Sequence, residues 1–145
     1  MAKDEKVDGA QIASRILNAM PAGHKEKLVQ AIKAADPQIA RKIEDNLLSF
    51  DDIAELTPKS IQALLRVVEH RDLIVGLKTA SDPVKENLFR NMSLGKRRLV
   101  EEDFAALPML PQSEVSQAQA RILKKLEELR TLGAAQSQTT RDVYV

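Results

Sequence analysis

Three observations predict an all-α fold. Apolar residues recur at spacings of three and four along the whole chain. No segment alternates with a period of two, so no sheet is expected. Three prolines follow a capping residue, as Asp36-Pro37, Thr57-Pro58 and Asp82-Pro83, the pattern of a helix beginning.

Each helix can be read in turn. Asp8-Gly9-Ala10-Gln11 looks like a capping-box start for a helix carrying Ile12, Ile16 and Leu17, and Pro21 ends it. Residues 24–34 set Leu28, Val29 and Ile32 on one side. Pro37 opens a series of Ile39, Ala40, Ile43, Leu47 and Leu48. Pro58 opens Ile61, Leu64, Leu65 and Val68, and residues 71–78 carry Leu73, Ile74 and Leu77. Pro83 precedes Val84, Leu88 and Phe89. Ser93 caps a helix to about Ala106, and Ser113 caps a long one holding Val115, Ala118, Ile122, Leu126 and Leu129, with Gly133 as its stop.

These elements fall into two groups. Residues 9–48 make three short helices, the size of one armadillo-like unit. Residues 51–133 make a bundle of five to six helices, joined to the first part through Leu48-Ser49-Phe50-Asp51-Asp52. Ile16, Leu28, Ile32, Ile43 and Leu47 are expected to be buried in the first part or to face its partner. Leu64, Leu65, Leu73, Leu77, Leu88, Leu99, Val100, Ile122 and Leu126 are the expected core of the second. Residues 1–8 are expected to fray, and the small, polar residues from 134 to 145 to form a mobile tail. An isolated armadillo-like unit buries its apolar faces against a neighbour, so residues 9–48 should present an apolar surface.

Composition narrows the function. The chain of 145 residues carries 22 Lys plus Arg against 21 Asp plus Glu, a net charge of +1. That balance gives little pull toward nucleic acid or an anionic membrane. Cysteine is absent, which removes disulfides, thiolate nucleophiles and Cys-based metal sites. Tryptophan is absent and aromatics are 3%, which argues against a base-stacking platform. No run of about 18 apolar residues is present, so no membrane insertion is expected. The start, Met1-Ala2-Lys3-Asp4-Glu5-Lys6, has no apolar signal region, and a cytoplasmic location is expected.

Catalytic patterns are missing. His24 and His70 lie far apart with no obvious partner and read as surface or helix-end residues. Gly76-Leu77-Lys78-Thr79 ends like a phosphate loop but lacks the first glycine and the preceding strand. Glu101, Glu102 and Asp103 are consecutive on a helix, so their carboxylates diverge and cannot share a cation. No enzyme, cofactor or metal site is expected.

One helix is electrostatically odd. After Ser93 the order is Leu94-Gly95-Lys96-Arg97-Arg98-Leu99-Val100-Glu101-Glu102-Asp103-Phe104, bases first and acids last. The helix dipole favours the reverse, by roughly 0.3–1 kcal/mol per terminal charge. Base-before-acid pairs such as Arg98 to Glu102 are also the weaker order. The pattern fits a solvated face with local pairing, or a charged ridge presented to a partner of complementary charge. A nucleic-acid surface built on Lys96, Arg97 and Arg98 is the weaker alternative, since the acids one turn on repel phosphates.

Ser60-Ile61-Gln62-Ala63-Leu64-Leu65-Arg66, Leu73-Ile74-Val75-Gly76-Leu77-Lys78-Thr79-Ala80 and Leu88-Phe89-Arg90-Asn91-Met92-Ser93 resemble the C-terminal part of the FliG family of flagellar motor switch proteins. The spacings between them match without gaps. Upstream, Ile16-Leu17-Asn18, Asp36-Pro37 and Lys42-Ile43 are similar to the family's armadillo unit. Downstream, residues 113–133 and the final Tyr144-Val145 are similar to its ending.

The resemblance implies an armadillo unit, a hinge and a six-helix bundle. The family's hinge motif, Met-Phe-any-Phe, falls on Leu47, Leu48, Ser49 and Phe50, where only the last position matches. It also implies that residues 93–106 are the charged helix facing the cytoplasmic loop of a MotA-like stator protein. Lys78, Glu102 and Asp103 retain the family's charges in kind, and Arg98 belongs to the same expected ridge. Two family arginines fall on Gly95 and Pro111. The implied partners are the stator loop, other switch-complex proteins (the FliG middle domain and FliM) and a second copy of the chain, with no nucleic acid. A whole FliG also carries an N-terminal membrane-ring-binding domain and a FliM-binding middle domain, for which 145 residues leave no room. The expected role is a rotor-side module at the cytoplasmic face of the flagellar basal body, acting in torque generation or switching. The alternative is a regulatory adaptor that docks on the switch ring or another partner without transmitting torque.

Overall fold

Side-chain caps set the starts of four helices. In the computed structural model, which describes residues 8–133, Asp8 accepts from the Gln11 amide at 3.1 Å and opens α1 (Gly9–Asn18). Asp36 caps α3 (Pro37–Glu44) through the Ile39 amide, Thr57 caps α4 (Pro58–Val67) through Ser60, and Ser93 caps α7 (Leu94–Ala105) through Lys96. Each satisfies one of the amides a helix start leaves unpaired. The remaining helices are α2 (Ala22–Ala35), α5 (His70–Gly76), α6 (Asp82–Arg90) and α8 (Gln112–Thr131).

Two starts differ from expectation. Asp82 lies inside α6, whose N-cap is Ser81, and Ser113 lies inside α8, whose N-cap is Pro111. Neither Ser81 nor Pro111 makes a side-chain cap bond, so a proline-fixed or extended backbone leads into each helix. Short 3-10 helices cover Phe50–Glu55 and Leu77–Thr79. Gly133 ends the chain of helices at φ +77°, the left-handed backbone that glycine supplies cheaply. The described residues contain no strand. The expected frayed start and mobile tail lie outside the described residues, apart from Asp8.

The helices form two cores. Leu17, Val29 and Ile43 make the first, with Ile32 and Leu47 packed against it. The second runs from Leu48 through Ile53, Leu64, Leu77, Leu88, Val100 and Ile122 to Leu126. Helix α8 is its spine, packing along α5 and touching α4 and α1. Helix α6 packs on the 3-10 segment at residues 50–55, and α7 on α5. Burying an Ile or Leu fully contributes about 1.5–3 kcal/mol, and the second core holds most of these residues.

Leu99, an expected core residue, is 51% exposed, and Ile16 and Leu28, expected to be buried or to face a partner, are 61% and 43% exposed. In each case the neighbouring stripe faces inward. Helix α1 buries Ser14, Leu17 and Asn18 and packs on α3 and α8. Helix α2 buries Lys25 and Val29, and α7 buries Val100. Leu65, Ile32 and Leu47 are half-buried, and the other expected core residues are buried.

Candidate functional site

The joint between the two parts is held by buried polar groups. Asn18, fully buried on α1, accepts from the Leu48 amide at 2.7 Å. Its amide nitrogen donates to the Asn46 carbonyl at 3.2 Å and to Glu127 of α8 at 2.9 Å. Arg130 donates to the same Glu127 oxygen at 2.8 Å and to the Asn46 carbonyl at 3.0 Å. Lys25 donates to the Leu48 carbonyl at 2.6 Å. Burial holds its pKa below the ordinary 10.5, opposed by the nearby Asp52 carboxylate. The Ser49 amide donates to Asp52 at 2.8 Å, which starts the 3-10 turn.

The four positions on which the family's hinge motif falls divide between the two cores. Leu47 packs with the first, and Leu48 and Phe50 with the second, while Ser49 is exposed. A cleft of about 580 Å³ opens beside them, lined by Met20, Lys25, Val29, Phe50 and Leu123 among others.

Helix α7 sends its charges in different directions. With Val100 pointing into the core, the 100° step per residue puts Arg98 and Glu102 on the outer face. Both are exposed, and among the described residues neither makes an ion pair. The intrahelical pair is Arg97 with Glu101 at 3.3 Å, not Arg98 with Glu102. Lys96 is half-buried. Asp103 turns toward α5, where His70 Nε2 lies 2.7 Å from its carboxylate. His70 is therefore a helix-end histidine as expected, but it has a partner. Lys78 comes to α7 at Phe104, its ammonium 6.0 Å from the centre of that ring. The structure thus gathers Lys78, Arg98, Glu102 and Asp103 around one helix but on three of its sides. Asp103 pairs across to α5, whereas Arg97 and Glu101 pair locally within α7.

The two departures from the family's charges are also placed. A Cβ built on Gly95 meets nothing within 4 Å, so a side chain could leave the backbone there without a clash. Pro111 holds the backbone that leads into α8. Among the described residues, no group of three or more side chains converges to hold a metal ion. No helix there is long and apolar enough to cross a membrane. Sequence reasoning missed the pairing of Asn18 with Glu127 and of His70 with Asp103, and the cations beside Phe104. Asn18 gives one signal, a polar residue inside an apolar stripe beside Leu17.

Comparison with known proteins decides the family. The model of the FliG C-terminal domain matches residues 30–136, most of the chain. The chain belongs to the FliG C-terminal domain family. The flagellar motor switch protein FliG of Thermotoga maritima is 32% identical over 128 residues, 88% of this chain and 38% of the relative. That of Bacillus subtilis is 32% identical over 123 residues, 83% and 36%. The chain therefore spans little more than a third of these FliG proteins. The crystal structure of FliG residues 86–343 from H. pylori superposes with a TM-score of 0.71 at 25% identity, covering 93% of this chain and 64% of that one. Full-length FliG from Aquifex aeolicus gives 0.60 at 28% identity, covering 91% and 41%. The all-α fold and the FliG resemblance read from the sequence hold.

Proposed function

We propose that this chain is a rotor-side module of the flagellar motor switch. It presents α7 at the cytoplasmic face of the basal body to the cytoplasmic loop of a MotA-like stator protein, in torque generation or switching. The observation that carries this is the outer face of α7, where Arg98 and Glu102 stand exposed with no ion-pair partner among the described residues, in a FliG C-terminal fold. Exposed charges contribute only about 0–1 kcal/mol each to folding, but they steer encounter with a complementary partner. Lys78 and Asp103 flank that face. Reversal of Arg98→Glu and Glu102→Lys, singly, should leave the melting temperature within about 2 °C. Swimming should fall in the single variants and recover when a stator charge is reversed in compensation. Unchanged swimming with intact folding would support the adaptor reading, which Gly95 and its empty surroundings favour.

A second surface supports placement in the switch ring. Ile12 and Ile16, one turn apart on α1, are 45% and 61% exposed, and Ile39 on α3 is 45% exposed. We read this face as the seat of a FliG middle-domain unit, in keeping with the need of armadillo-like units for a neighbour. FliM and a second copy of the chain are the other switch-complex partners of this reading. Ile16→Asp should abolish co-sedimentation with a FliG middle segment and leave the melting temperature unchanged. Persistent binding, or self-association through the same face, would redirect the assignment.

A further inference from the structure

The cleft of about 580 Å³ beside the joint takes its walls from both parts of the fold. Binding sites of roughly 300–1,000 Å³ form preferentially at such boundaries. Its apolar lining is Met20 and Val29, packed with the first core, and Phe50 and Leu123, packed with the second. Glu26, Glu44 and Asp52 also line it, and all three are exposed. Glu44 has Lys33 at 3.8 Å, whereas Glu26 has no ion-pair partner among the described residues. The cation among the lining residues is Lys25, which is buried and donates to the Leu48 carbonyl at 2.6 Å. The cleft therefore suits an occupant that brings apolar side chains together with a positive charge.

The chain carries such a pattern itself. Outside the described residues, the sequence from 134 reads Ala-Ala-Gln-Ser-Gln-Thr-Thr and then Arg141-Asp142-Val143-Tyr144-Val145. In an extended chain alternate side chains share a face, so Arg141, Val143 and Val145 fall together, opposite Asp142 and Tyr144. We propose that the cleft is the seat of residues 141–145, with the two valines on its apolar lining and Arg141 on the carboxylate of Glu26. The reach is sufficient. Gly133, at φ +77°, takes the chain off the axis of α8. The cleft's wall on α8, Ser116 to Leu123, lies about 15–25 Å back along that helix from Gly133, at about 1.5 Å per residue. Residues 134–141 span about 26 Å when extended, at about 3.3 Å each. Tethering gives the segment an effective concentration on the order of millimolar, so one ion pair and two small apolar contacts are enough to seat it. A segment seated there touches α2, the joint and α8 at once, and so braces the two parts of the fold against each other. No residue of α7 takes part, so the inference goes beyond the stator reading and stands or falls without it.

The sequence supplies its own probe. It has one tyrosine, Tyr144, and no tryptophan, so tyrosine emission reports that residue alone. Time-resolved anisotropy of the full chain should show Tyr144 turning with the whole protein, while a free peptide of residues 134–145 shows fast rotation only. Arg141→Glu should lower the ratio of slow to fast rotation about fivefold, the loss of one exposed ion pair, and Val143→Ser about tenfold, the loss of one buried apolar side chain. Glu26→Arg should act as Arg141→Glu does, and the two together should recover most of the slow fraction. Residue 26 is exposed, so helix content by circular dichroism should match the parent. Were Glu26→Arg to unfold, the variants at 141 and 143 would still read the contact, because they lie outside the two cores. Fast rotation of Tyr144 in the parent chain, or slow rotation that none of these variants changes, overturns the proposal. So does slow rotation that disappears on dilution, which would seat the segment on a second copy.

Discussion

Replacing Asn18 with Leu is expected to lower the unfolding free energy by about 3–5 kcal/mol, one of the two largest single-site losses we predict for this chain. Asn18 is fully buried and uses both ends of its amide. Leu keeps the apolar contacts but leaves the Leu48 amide with no acceptor. It also strips one donor from Glu127, which is 9% exposed and would then depend on Arg130 alone. An orphaned buried donor costs about 1–3 kcal/mol, and a hydrogen bond to a charged group about 1.5–3. Asn18→Asp keeps the acceptor for Leu48 but sets a carboxylate against Glu127, so it should be destabilising near neutral pH as well. Urea unfolding measures the loss. A double-mutant cycle with Glu127→Gln should return a coupling above about 0.5 kcal/mol, since the two side chains share a bond. A loss below about 1 kcal/mol for Asn18→Leu would mean that the joint is not held by this network.

That network also shows what could be read in the sequence. Asp8, Asp36, Thr57 and Ser93 cap helices through amides three residues away, so short-range spacing reveals them. The two-part division and most of the second core follow from the same local periodicity. The choice between adjacent stripes does not. Ile16 and Leu17 both continue an apolar series, and only the approach of a second helix to the smaller face containing Ser14 decides which is buried. Side-chain pairing across the fold was invisible for a similar reason. Asn18 and Glu127 are 109 residues apart, and His70 and Asp103 are 33 apart. No spacing rule connects them until α8 is laid along α1 and α7 along α5. The charge order of α7 was legible, because it conflicts with the dipole of its own helix. Which of its charges face outward was not, because that depends on where Val100 points.

Ile122→Ala is expected to cost about 3 kcal/mol, and Leu99→Ala less than about 1. Both residues read as core positions from sequence, so the contrast tests the packing of the bundle rather than its helical content. Ile122 is 2% exposed in the middle of α8. Its Cδ1 lies where a Cβ on Gly76 would approach to 3.1 Å, so α5 comes against it backbone-first. The Gln119 amide donates to the Gly76 carbonyl at 2.8 Å and to the Thr79 hydroxyl at 2.9 Å, which pins the end of α5 and the 3-10 turn after it to α8. Arg121 with Asp72, at 3.0 Å, adds a further tie between the same two helices. With α5 held in place, the space left by truncation cannot close, and the cavity term adds to the lost transfer free energy. Leu99 has the opposite setting. At 51% exposure its side chain already meets water, its removal opens no cavity, and alanine is at least as good a helix former. Chemical denaturation of the two variants side by side decides the matter. Equal losses would mean that Leu99 is buried and α7 is rotated from the orientation described. That result would also turn Arg98 and Glu102 away from the outer face on which the proposed stator contact depends.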